Sequence, residues 1–186
     1  MSEANEYQEK KPSFLSETLE ALVVAAVLAA VIRFFIFQPF YIPSGSMEPT
    51  LVPGDRIIAN KFIYRFKEPA RGDVMVFQFP KDPERDFIKR VIGLPGDMIE
   101  IRNSELFINN QLIKEPYLPK GLRVPNYGPF TVPADAYFMM GDNRNNSEDS
   151  RFWGEMPKKY IRGKAVLVYW PFSRMGMIKD LQDYMK

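Results

Sequence analysis

The chain has no histidine and no cysteine among its 186 residues. Without histidine a Ser-His-Asp triad cannot be built, and a histidine-ligated metal is excluded. Without cysteine there is no thiol nucleophile, no zinc-thiolate site and no disulfide. The missing disulfides fit the cytosol and a bacterial exterior equally, so they choose no compartment. Charge of one sign is also lacking: the net charge is +2 with both signs interspersed, and no basic stripe points to nucleic acid. A GxxxxGK[ST] phosphate loop is absent. No cofactor or metal is implied. A serine hydrolase written in this alphabet must take its base from Lys, Asp, Glu or Tyr, and a lysine of depressed pKa is the best-attested choice.

What the chain does have is one long apolar run, "LEALVVAAVLAAVIRFFIFQPF" at 19–40. Ala21 to Ile32 is wholly apolar, and Phe34 to Phe37 extends the run past Arg33. Leu19 to Phe37 gives 19 positions, close to the ~20 that a membrane-spanning helix needs. Glu20 and Arg33 lie near its ends, where charged groups can reach an interface. Gln38-Pro39 is the expected stop, since proline breaks a helix. The reading is a transmembrane helix over 19–38, preceded by a flexible tail over 1–18. A surface amphipathic helix would show a polar face, which this run lacks. A cleaved leader would have a basic start, whereas residues 1–20 hold five acids and two lysines. The Lys/Arg bias is weak on both sides and gives no orientation.

From Asp55 onward the helical period disappears. The segments 56–66, 73–79, 86–94, 97–101, 105–108, 111–114, 136–140 and 164–170 are short, β-branched or aromatic, and bounded by turn residues, so they read as strands. Asn109-Asn110 suits a two-residue hairpin turn, because Asn tolerates positive φ. Pro53-Gly54-Asp55 and Pro95-Gly96-Asp97 read as two turns of one type. No helical patterns separate the strands, so the fold class is all-β and mostly antiparallel. The expected domain runs over 39–186, a size that can bury a real core.

Three polar tracts can carry chemistry. In "FYIPSGSMEPT" (40–50) Ser46 is a candidate nucleophile beside Gly45, which permits close backbone approach. If the segment is extended, Ser44 projects on the same side as Ser46 and can donate to an oxyanion beside the Ser46 N–H. In "RDFIKRVIGLPGD" (85–97) alternation puts Phe87, Lys89 and Val91 on one face and Ile88, Arg90 and Ile92 on the other. One of the two cations then faces apolar surroundings, and a buried lysine loses its proton more readily. A solvated edge-strand lysine fits the same spacing. In "MGDNRNNSEDSRFWG" (140–154) Asp142, Arg144, Ser147, Asp149 and Arg151 crowd between aromatics, as in a hydrogen-bonded network or a solvated loop.

Together the tracts "PSGSMEPTL" (43–51), "RGDVMVF" (71–77), "DFIKRVIGLPGD" (86–97) and "GDNRNNSEDSRFWG" (141–154) resemble, in order, those of the bacterial type I signal peptidases. These are membrane-bound Ser/Lys-dyad endopeptidases that remove signal peptides from exported proteins. The resemblance implies Ser46 as nucleophile and Lys89 as general base, with Ser44 and the Ser46 N–H at the oxyanion. It implies that the Ser147 hydroxyl orients the lysine, supported by Asp149 and Arg151, while Asp142 and Arg90 pair behind the site. Phe40, Ile42, Pro43 and Ile88 fall where the family builds shallow pockets for small residues at −1 and −3. Exported preproteins and the lipid bilayer are the implied partners. The tail over 1–18 would be cytosolic and the β-domain extracytoplasmic, held at the bacterial plasma membrane by a single pass. Some members carry two membrane segments, and here there is one candidate. Two rivals are a self-cleaving Ser/Lys protein of the repressor type, for which a DNA-binding half is missing, and a membrane-tethered β-module without catalysis.

Overall fold

The computed structural model describes residues 14–31 and 36–184. They fall into two compact units, one ending at Ile36 and one starting at Phe37. The first contains helix α1 (Phe14–Val31), built from Leu, Ala and Val. Its Leu19, Leu22, Val23, Val24, Val27 and Leu28 side chains are all exposed. Residues 1–13 of the expected tail lie outside the described residues, and 14–18 belong to α1. Among the described residues no helix is long and apolar enough to cross a membrane. The described residues thus do not show the expected span over 19–38, and its far end is corrected. Residues 32–35 lie outside the described ones, and Phe37–Tyr41 is strand β1 rather than a helix end. Pro39 was the misleading signal. β1 is the edge of its sheet, and an edge strand tolerates a residue with no N–H.

The second unit is mostly antiparallel β-structure. Its strands are β1, β2 (Arg56–Asn60), β3 (Val74–Phe79), β4 (Asp82–Gly93), β5 (Met98–Arg102), β6 (Glu105–Ile108), β7 (Gln111–Ile113), β8 (Tyr127–Thr131), β9 (Ala136–Met140), β10 (Met156–Pro157), β11 (Ile161–Trp170) and β12 (Gly176–Met177). One sheet runs β1-β2-β11-β3-β4-β9-β10 with β12 beside β11, and the other runs β7-β6-β5-β8. The expected strand over 56–66 stops at Asn60, whose side chain accepts from the Phe62 and Ile63 N–H groups and starts a 3-10 turn. β8 escaped the sequence reading for the same reason as β1: it contains Pro129 and closes the edge of the second sheet.

Turn chemistry sets the connections. Asn109 and Asn110 have φ of 51° and 64° between β6 and β7, as expected. The expected pair of Gly-Asp turns is a set of three. Gly54, Gly72 and Gly96 all have φ above 80°, which only glycine adopts freely at this turn position. In each turn the following Asp side chain accepts from the N–H three residues back: Asp55 from Val52, Asp73 from Ala70 and Asp97 from Leu94. Each carboxylate also meets a cation, Arg174, Lys164 and Arg71 respectively.

Met47 and Leu51 are fully buried among Ile57, Ala59, Val76 and Ala165 of the first sheet. A buried side chain of that size contributes roughly 1.5–3 kcal/mol. These two therefore tie the serine tract to the rigid sheet. Strand β4 pairs with β3 on one side, but with β9 only from Arg90 onward. Among the described residues, Asp82 to Lys89 thus present an unpaired strand edge.

Candidate active site

Ser46 lies in a single 3-10 turn, Gly45–Met47, entered from extended Ser44 (φ −131°, ψ 156°). The strand alternation invoked for Ser44 and Ser46 therefore does not apply across this turn. Ser44 still lines the same cleft as Ser46. Gly45 is not needed for a left-handed backbone: a Cβ there would meet the Glu48 carboxylate at 2.9 Å, the far end of a flexible side chain. The turn is held from outside. The Asn143 N–H donates to the Ser46 carbonyl at 3.1 Å, and Asn143 Nδ2 donates to the Gly45 carbonyl at 3.0 Å. Asn143 was missed in the sequence, where only its place inside the 141–154 tract marked it.

Lys89, on β4, donates from Nζ to Ser46 Oγ at 2.7 Å. Both residues are buried, at 4% and 9% exposure. Nζ also lies 5.2 Å from the centre of the Phe87 ring. Burial pushes the Lys89 ammonium down to about 8, while the Asp149, Glu148 and Asp142 carboxylates pull it upward. The alternation argument expected one cation to be buried. Both are, because β4 is covered on both faces, and Arg90 is fully buried too. Arg90 survives burial through Asp142: Nε and Nη2 donate to its two oxygens at 2.8 and 2.6 Å. Its Nη1 donates to the Gly72 and Lys179 carbonyls.

The loop after β9 covers this pair. Asp149 caps the short helix α2 (Ser150–Trp153) and receives two hydrogen bonds of 2.8 Å from the Arg151 guanidinium. Its Oδ2 also accepts from the Gly141 N–H. Ser147 is buried close to the serine turn, but its hydroxyl has no hydrogen-bond partner among the described residues. The expected bond from Ser147 to Lys89 is thus not made in this structure.

Ser44, Ser46 and Lys89 open on a cleft of about 520 Å³, bounded by 43–46 on one side and 85–89 on the other. Of the four expected pocket residues, Pro43 and Ile88 line it. Ile42 is 2% exposed and packs in the core, with Phe40 half-buried against the same cluster, so neither forms the cleft wall. Glu148 and Asn146 line the cleft and were not expected there.

Residues 15–170 match the family model described as signal peptidase, peptidase S26. The signal peptidase I of Leptolyngbya laminosa is 44% identical over 187 residues, covering 95% of this chain and 90% of that one. A probable signal peptidase I-2 of Synechocystis is 41% identical, covering 87% and 76%. The signal peptidase I P of Bacillus subtilis subsp. natto is 41% identical, covering 91% and 96%. The chain belongs to the signal peptidase family, peptidase S26, and is an enzyme of its type I branch.

Proposed function

We propose that this enzyme cleaves signal peptides from exported preproteins after small residues, using Ser46 as nucleophile and Lys89 as general base. The observation that carries the reading is the 2.7 Å contact between Lys89 Nζ and Ser46 Oγ, inside a buried pocket of a chain without histidine. Neutral Lys89 takes the Ser46 proton as Oγ attacks the scissile carbonyl carbon. The oxyanion is met by the Ser46 N–H and the Ser44 hydroxyl. Collapse breaks the C–N bond, and the Lys89 ammonium protonates the departing amine. Water, activated by the same lysine, then hydrolyses the ester and restores Ser46.

The open edge of β4 beside the 43–46 segment suits an extended peptide, whose backbone can pair with the unpaired strand. Pro43 and Ile88 narrow the cleft near Ser46 and favour small side chains of the Ala-x-Ala type. Large ones are excluded sterically, which discriminates better than contacts among small ones.

The bilayer is the natural partner of the apolar surfaces. From Ala21 to Ala30 helix α1 has no polar face, and its side chains are exposed. In the β-unit Tyr41, Trp170, Phe172, Met175 and Met177 are exposed as well. Exposed large apolar side chains in such number suit an apolar partner. In this reading the apolar run from Leu19 up to the start of β1 holds the chain at the plasma membrane, with the residues before it cytosolic and the β-domain extracytoplasmic.

The test is purified full chain in detergent with a precursor whose signal ends in Ala-x-Ala. The expected product is cut after the second Ala, and Ser46→Ala gives none. A Ser46→Ala chain that still cuts would refute the proposal.

A further inference from the structure

Arg144 sits in the loop that covers the candidate dyad, yet its charge is answered from the segment after β7. Its guanidinium meets Glu115, which follows β7, through two hydrogen bonds: Nη1 to Oε2 at 2.7 Å and Nη2 to Oε1. The side chains are only 2% and 9% exposed. The Tyr117 hydroxyl donates to the same Glu115 oxygen at 2.6 Å, and the Tyr117 ring lies under the Arg90 guanidinium at 4.1 Å.

Arg144 passes this constraint on. Its Nε donates to the Gly141 carbonyl at 3.1 Å, and its own carbonyl accepts from Arg151 Nη2 at 2.7 Å. The preceding residue, Asn143, makes the two hydrogen bonds that hold the Ser46 turn. One carboxylate just beyond β7 thereby fixes both the loop over the dyad and the turn carrying the nucleophile.

Resting on the Ser46/Lys89 reading above, we infer that Glu115 is a positioning residue for catalysis: it holds Arg144, and through Asn143 it holds Ser46 in line with Lys89. Glu115 touches neither Ser46 nor Lys89. Its removal therefore acts on geometry, and small misplacements of reacting groups cost about 10²-fold in rate.

The test compares full-chain Glu115→Gln, Glu115→Asp and Tyr117→Phe with wild type in detergent, on the Ala-x-Ala precursor, well below each variant's melting temperature. Glu115→Gln should lose about 10²-fold in kcat with KM changed by less than about threefold, because neither Glu115 nor Arg144 lines the substrate cleft. Glu115→Asp should regain part of that loss. Tyr117→Phe keeps every charge and should lose several-fold in kcat, which covers the case of a Glu115→Gln chain that does not fold. Glu115→Gln combined with Arg144→Lys should be no worse than the poorer single variant, since both break one link. Unchanged kcat per folded Glu115→Gln molecule, with only a lower melting temperature, overturns the assignment and leaves the function reading standing. If Tyr117→Phe alone folds and keeps full kcat, the assignment falls too. Ser46→Ala runs beside them: if it still cleaves, the function reading fails, and this inference with it.

Discussion

Arg90 and Asp142 form a two-pronged ion pair with both side chains fully buried. Arg90 is the residue after Lys89 on β4, and Asp142 begins the loop that holds the Ser46 turn. The pair thus pins the strand to the loop. Removing one partner leaves a charge without compensation in the interior, which costs about 3–5 kcal/mol. Asp142→Ala should therefore lower the stability of the domain by that much in urea unfolding. A loss below ~1 kcal/mol, the range of exposed ion pairs, would show that the pair does not tie the two elements.

Gly141 packs where no side chain fits. A Cβ there would lie 2.2 Å from Ser147 Oγ and 2.4 Å from the Ser46 carbonyl oxygen. The serine hydroxyl can rotate, but the carbonyl is backbone, so the nucleophile turn has to shift. Gly141→Ala should cost at least about 10²-fold in kcat while the chain stays folded. Wild-type turnover by a folded Gly141→Ala enzyme would contradict this packing.

Ser44→Ala should be milder than loss of the nucleophile, about 10²–10³-fold in kcat, as for one oxyanion donor. The measurement is kcat under saturating precursor. No change would remove Ser44 from that role.

Lys89 is predicted to weaken the fold it serves. Its folded pKa of about 8 lies below the ordinary 10.5. The unfolded chain therefore binds more protons between those values, and wild-type stability rises with pH through that window. Below pH 8 the full cost of burying the charge is present, up to ~3 kcal/mol, less ~1 kcal/mol for the bond to Ser46. Lys89→Met should be inert yet more stable than wild type at pH 7, with the gap narrowing towards pH 10.5. Equal or lower stability at pH 7, unchanged across the window, would contradict the burial argument.

Much of the site could be read from sequence because its groups sit in short tracts whose order carries the family resemblance. Ser46 and Lys89 lie 43 positions apart in the chain, and their side chains are hydrogen-bonded at 2.7 Å. Where elements were misread, the physics of context had outweighed local signals. Pro39 and Pro129 look like breakers, but lie in edge strands that need no N–H there. Ile42 follows Phe40 and Tyr41 in an apolar tract, and only packing decides that it faces the core. Glu115 gave no signal, because its meaning comes from Arg144, 29 positions further along the chain.

The most direct test of the Ser46/Lys89 mechanism is the pH dependence of kcat/KM for wild type beside the activity of Lys89→Arg. If neutral Lys89 takes the Ser46 proton, kcat/KM rises with pH and levels off above about 8, the pKa of that buried ammonium. Guanidinium does not deprotonate in this range, so Lys89→Arg is predicted to be as inactive as Lys89→Ala despite its matching charge. A wild-type profile flat from pH 6 to 10, or a Lys89→Arg enzyme that cleaves, would leave Ser46 without its base and contradict the mechanism.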